Sequence, residues 1–203
     1  MLFRSDEDFI KISLEGKYQL TYNKPGFGLN VRVFAGVFPL YEPTLVDPRF
    51  RLNTYTGSIG PFHKDYLFEE YFFGRDAVDG FLNQQIVRND GGFRSLTSLG
   101  QTHKWMGAIN VNSKVISKVP LRVFGALALY PDVFNTSADV SAEMGVALIL
   151  WEDIVEVNVP FVTTQNIRDN QDISGRTKFY ERISFTVNLK LANPFEQLRQ
   201  IDL

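Results

Sequence analysis

The sequence predicts an all-β chain: an antiparallel, up-and-down transmembrane β-barrel with about eight to ten strands in the chain itself. Three observations predict it. Long stretches alternate apolar and polar residues with the period of a strand. No stretch supports an amphipathic helix longer than about two or three turns. The clearest alternation runs for about ten residues or more, where strands of soluble proteins usually run about five or six, and that length suits a tilted strand crossing a bilayer.

The first two strands carry the pattern most clearly. Over residues 10–22, Ile10, Ile12, Leu14, Tyr18, Leu20 and Tyr22 share one parity, with Gly16 filling the remaining place. Lys11, Ser13, Glu15, Lys17, Gln19 and Thr21 share the other. Over 27–37, Phe27, Leu29, Val31, Val33, Ala35 and Val37 oppose Gly28, Asn30, Arg32, Phe34 and Gly36. Asn23, Lys24, Pro25 and Gly26 join the two as a turn.

Residues 49–59 read as a weaker third strand, and 81–88 as another that runs into the turn signal Asn89, Asp90, Gly91, Gly92. Residues 65–75 are dense in aromatics and acids and show no period. Four further strands alternate over 101–112, 121–129, 142–150 and 155–161. In the last strand Ile183, Phe185, Val187, Leu189 and Leu191 oppose Arg182, Ser184, Thr186, Asn188 and Lys190, until Pro194 ends it. The count is about nine.

Composition sets the remaining bounds. A chain of 203 residues with 44% hydrophobic content fits one domain, over 1–203. A net charge of −2 gives no electrostatic case for nucleic acid. The chain has no cysteine, which removes disulfides, thiol catalysis and thiolate metal sites. No window approaches the roughly eighteen consecutive apolar residues of a membrane helix, nor would a barrel show one. The N-terminus, Met-Leu-Phe-Arg-Ser-Asp-Glu-Asp, is acidic and has no apolar run, so it is not a secretory signal. A barrel therefore implies the mature or C-terminal segment of something longer. An odd strand count implies the same, because closed single-chain bacterial barrels have an even number.

Connection lengths give a topology. With two strands placed between 40 and 100, the short links 23–26, 113–118 and 152–153 fall on one side, expected to be periplasmic. The longer links 40–48, 131–139 and 163–179 fall on the other. Segment 60–80 is long yet falls on the short-turn side, so it is expected to enter the lumen or add a strand.

Residues 65–75 (DYLFEEYFFGR), 91–94 (GGFR), 99–105 (LGQTHKW) and 191–195 (LANPF) carry a family likeness. In this order they resemble the C-terminal membrane region of large outer-membrane proteins of Gram-negative bacteria with an aminopeptidase-N-like (gluzincin) metallopeptidase module upstream. The likeness spans roughly residues 22–195. It implies a membrane anchor in the outer membrane, with lipid and an upstream domain or other envelope proteins as partners. It brings no peptidase site: the family's zinc module needs H-E-x-x-H, and the two histidines, His63 and His103, lack that context.

No motif supplies a catalytic site or a cofactor site. His63, His103, Asp65 and Glu69 are too few and too scattered for zinc. Glu69 and Glu70, as neighbours in an extended segment, point to opposite faces. There is no phosphate loop or nucleophile elbow. The charges on the polar parity are more informative. Glu15, Arg32, Arg122, Glu143, Glu156 and Arg182 are expected to meet in the lumen as paired, structural charges. Leu14, Val31, Val33, Leu127, Val146, Phe185 and Val187 are expected to face lipid. Tyr18, Tyr22, Trp105, Tyr130 and Trp151 lie near strand ends, as interfacial girdles do, although core packing is the alternative. Phe81, Phe93 and the pair Phe72 and Phe73 are candidates to anchor a plug. Two rival functions remain open: a soluble β-barrel that binds an apolar ligand, with the parities inverted, and a porin for small solutes.

Overall fold

The computed structural model describes residues 9–22, 28–41, 50–52, 80–86, 92–114, 120–131, 137–150 and 154–187. Among these, seven strands form one antiparallel sheet: β1 (Phe9–Thr21), β2 (Gly28–Tyr41), β3 (Trp105–Lys114), β4 (Leu121–Pro131), β5 (Ala138–Leu150), β6 (Val155–Thr163) and β7 (Ser184–Val187). Spatial order equals chain order, and the sheet curls into a half-barrel. The opening hairpin pairs Thr21 with Gly28, Tyr18 with Val31 and Gly16 with Val33.

One expected strand, 81–88, differs over its described residues, 81–86. Phe81–Gln84 is a 3-10 turn that follows Gly80 in a left-handed conformation (φ 83°). Among the described residues of this segment only Gln85 bridges, in parallel, to Phe185, and the Ile86 N–H donates to the Phe185 carbonyl at 2.8 Å. This segment has no alternating pattern to commit it to a ladder, so it lies along the β7 edge. In the weak third strand, Phe50 bridges Thr102, and residues 53–59 lie outside the described residues, as do 65–75.

The side assignment of the connections follows from the ladder. Thr21, Gly28, Lys114, Leu121, Leu150 and Val155 pair at one end of the sheet, where the short links leave. The excursion 42–104 departs and returns at the opposite end, because β2 and β3 are direct neighbours. The connections 132–137 and 164–183 also leave there.

The two faces of the sheet are chemically distinct. All nine charged residues within β1–β6 (Lys11, Glu15, Lys17, Arg32, Lys114, Arg122, Asp139, Glu143, Glu156) stand on one parity, that of the buried Phe34, Met106, Phe124 and Ala147. The other parity carries Leu14, Val33, Ile109, Val123, Leu127, Val140 and Met144, all exposed. A soluble sheet buries its apolar parity; here that parity faces out.

The inner face is filled by the excursion and by one helix. Phe50, Leu52 and Phe93 pack with Phe34, Phe38, Met106, Ala128, Tyr130 and Ile167 in one core cluster. Gly36 makes room for Phe50: a Cβ there would lie 2.5 Å from the ring. Ile167 comes from α1 (Gln165–Ile173), which lies within the stretch expected to be a long loop. Ile167 and Gln171, one turn apart, are its buried residues. Gly175, with φ 79°, ends the helix, and its N–H and that of Arg176 reach back to the carbonyls of Asp172 and Gln171. No helix among the described residues is long and apolar enough to cross a membrane, which says nothing of strands.

Candidate functional site

The inner face carries two charge clusters. The first centres on Arg94. Phe93 inserts into the core and its N–H donates to Leu52 O at 3.1 Å, which turns the next residue toward the sheet. Arg94 is only 3% exposed. Its Nη2 lies 3.1 Å from Glu156 Oε1, and Arg122 Nη1 lies 3.6 Å from Glu156 Oε2. The guanidinium also stands 4.2 Å above the Phe124 ring. Both oxygens of Glu143 accept backbone N–H groups, from Arg94 at 2.6 Å and Ser95 at 2.7 Å. The Ser184 hydroxyl donates to the Arg94 carbonyl. Two residues of the excursion are thus tied to β4, β5, β6 and β7 at once. The fully desolvated carboxylates are tolerable because each is met by charge or by paired donors. Farther along, Asn170 of α1 accepts from Thr97 Oγ1 at 2.9 Å and Ser98 N at 3.0 Å.

The second cluster lies on β1 and β2. Glu15 Oε1 is 2.6 Å from Arg32 Nε and 2.8 Å from Lys17 Nζ. Beside it, Asn30 Nδ2 donates to Asn112 Oδ1 at 3.1 Å. Between the clusters opens a pocket of about 340 Å³, lined among others by Glu15, Lys17, Arg32, Arg94, Asn110 and Asn112. The arrangement can hold charge and hydrogen-bond donors in a fixed frame. Among the described residues no three His, Cys, Asp or Glu side chains converge on a metal position. His103 stacks on Tyr41 at 4.4 Å, and His63 lies outside the described residues.

Five of the six expected lumen charges fall into these clusters: Glu15 with Arg32, Arg122 with Glu156, and Glu143 against the Arg94 backbone. The sixth, Arg182, does not. It ends the 3-10 turn Phe179–Arg182, pairs with Asp172 at 2.7 Å and donates to Arg176 O at 3.0 Å, because these partners precede the start of β7 at Ser184. Arg94 was the residue that strand patterns passed over. Its signal was indirect: Glu143 and Glu156 outnumber Arg122 on neighbouring inner positions, which calls for a cation from outside the strands.

Of the residues expected to face lipid, Leu14, Val33 and Leu127 are exposed, and Val31, Val146 and Val187 are half-buried. Phe185 is 6% exposed, because the Phe81 ring stacks on it at 4.5 Å from the 3-10 turn along the β7 edge. Phe81 is therefore an outer cover, whereas Phe93 is the inward anchor. Tyr18, Tyr22 and Trp105 are exposed near strand ends. Tyr130 is instead buried inside, its hydroxyl 2.7 Å from Ser141 Oγ. Trp151, Phe72 and Phe73 lie outside the described residues.

Comparison with known proteins finds no match: no family model, no curated protein and no solved structure is similar to this chain.

Proposed function

We propose that this chain is an outer-membrane β-barrel segment that anchors or scaffolds a larger envelope protein, and that its outward apolar face meets lipid. The observation that carries the reading is the separation of parities: every strand charge of β1–β6 points inward, and large aliphatic side chains stand exposed outward. Leu14 is 76% exposed and Val33 48%. In water such a continuous apolar surface favours association, whereas in a bilayer it is the required outer band. Exposed Tyr18, Tyr22 and Trp105 near strand ends suit the aromatic girdles of such a band.

The same observation counts against a soluble barrel with an apolar interior, which would place Ile12, Leu14 and Val33 inside and Arg32 in water. Filling of the inner face by Phe50, Leu52, Phe93 and Arg94 favours an anchor over an open diffusion pore. The motifs at 65–75 and 91–105 extend the proposal to an anchor for an upstream peptidase-like module, with the chemistry carried outside this chain. Expression followed by membrane fractionation tests the reading. The protein is expected in the outer-membrane fraction and to need detergent for release. Quantitative recovery from the aqueous fraction as a monodisperse monomer contradicts it.

A further inference from the structure

We infer that the outer edge of β1 takes up β1 of a second copy of this chain, antiparallel and related by a two-fold axis at Gly16. The inference rests on the membrane reading for its driving force. Ile12 through Thr21 are exposed on both parities, whereas inner positions of β4 and β5, such as Phe124, Ser141 and Ala147, are buried. β1 stands first in the sheet order, and among the described residues no strand pairs with it on the side away from β2. The β7 edge is occupied in part, by Gln85 bridging Phe185. A strand edge presents backbone N–H and C=O groups to its open side, and β1 does so as a strand of 13 residues. Water satisfies such groups. Hydrocarbon does not, so an open edge does not persist in lipid.

The side chains of β1 fit its own copy. With the axis at Gly16, Glu15 stands opposite Lys17 of the second copy, Leu14 opposite Tyr18, Ser13 opposite Gln19 and Ile12 opposite Leu20. Apolar residues then meet on the outer face and polar residues on the inner one, as an isologous contact requires. Glu15 already bonds Lys17 of its own strand at 2.8 Å. Across the axis the two carboxylates and two ammonium groups form a ring of alternating sign, and none of them needs to be unpaired. Other axes fit less well. At Leu14, Lys11 would meet Lys17; at Glu15 the two carboxylates would meet, and like charges directly opposite destabilise a pair. Axes at Ser13 or Tyr18 avoid this but leave more of the strand unpaired at one end. Gly16 leaves the axis unobstructed, since no heavy atom lies within 4 Å of a Cβ built there.

The test uses the full chain, which has no cysteine, carrying Gly16→Cys or, as control, Leu127→Cys on the exposed outer face of β4. Each is reconstituted into phospholipid vesicles at low protein density and treated with a short bis-maleimide. Light scattering gives the mass in detergent micelles. A mass of two chains is expected, with a dimer cross-link at Gly16→Cys several-fold above that at Leu127→Cys. Lys17 is 73% exposed, so adding Lys17→Glu leaves packing intact while it sets carboxylates opposite each other. The Gly16 yield should then fall about threefold or more, because the axis repeats the repulsion. An unchanged yield at unchanged circular dichroism overturns the Gly16 register. A mass of one chain with low yields at both positions overturns the dimer and leaves the membrane reading intact. Equal high yields overturn it as well, since crowding accounts for them. A cross-link from Gly16→Cys to a different polypeptide alone assigns the edge to another strand and overturns the second copy. Recovery from the aqueous fraction without the Gly16 cross-link overturns both readings; recovery there with it overturns the membrane reading alone.

Discussion

Val33→Arg separates a lipid-facing sheet from a water-facing one. The β2–β3 ladder runs over ten residue pairs, from Gly28 opposite Lys114 to Val37 opposite Trp105. At about 3.3 Å per residue this is roughly 30 Å of strand, and a tilt of about 40° reduces it to an apolar band of about 25 Å. Val33 lies near the middle of that ladder, and its outward neighbours are Gly16, which has no side chain, and Ile109. A long side chain therefore fits without a clash, and the cost reports the surroundings alone. At a bilayer midplane an outward Arg costs about 2–4 kcal/mol, whereas near the interface it costs about 0–1 kcal/mol. On a water-exposed surface the same change costs within about 0.5 kcal/mol. Leu20→Arg, one residue from the short-link end of β1, is the matched shallow control. Equilibrium denaturation from phospholipid vesicles, followed by tryptophan fluorescence, should show a deficit of about 2–4 kcal/mol for Val33→Arg and at most about 1 kcal/mol for Leu20→Arg. Two variants that both fall within about 0.5 kcal/mol of wild type would refute the depth argument.

Further outcomes follow from the inner face and the sheet. Glu143→Ala leaves the buried N–H groups of Arg94 and Ser95 without their acceptor and should cost about 2–5 kcal/mol, with Glu143→Gln intermediate; denaturant midpoints at constant slope check this. Gly145→Val would place a Cβ 2.3 Å from Val159 O and 2.8 Å from Pro160 Cα, both backbone, so β5 and β6 should not pair and the strand signal in circular dichroism should fall sharply. Arg182→Ala loses a partly exposed pair with Asp172 and should lower stability by at most about 1 kcal/mol; a loss as large as that of Glu143→Ala would restore Arg182 to the lumen network.

Local periodicity is read well from a sequence when a strand has two unlike faces, and β1, β2, β4 and β5 have them. Leu20 opposite Leu29 and Tyr18 opposite Val31 follow from the alternation plus the turn at 23–26. The separation of short and long connections was legible too, because a meander fixes which end each link occupies. What was not legible depends on distant partners. Nothing local to Arg94 says that Glu156 lies beside it, and nothing in 42–104 says that β3 will return directly to β2. Arg182 has the right parity for a strand, yet Asp172 and the Arg176 carbonyl compete for it and win. The α1 segment offers only Ile167 and Gln171 to the core, too thin an apolar stripe to stand out, although Gly175 marks its end. Tyr130 lies near a strand end, but its inward parity gives it Ser141 as partner and not an interface.

Which parity of the sheet meets lipid can be measured directly. The chain has no cysteine, so single cysteines can be placed without background. An environment-sensitive fluorophore is attached in turn along β2 at residues 29 through 33 and along β4 at residues 123 through 127, in protein reconstituted into vesicles. Quenching by lipids with spin-labelled acyl chains is then recorded. Strong quenching is expected at Leu29, Val31, Val33, Val123 and Leu127, and weak quenching at Asn30, Arg32, Phe124 and Ala126, alternating residue by residue. Uniform quenching, or strong quenching by aqueous iodide at Val33 and Leu127 with none by lipid, would contradict it.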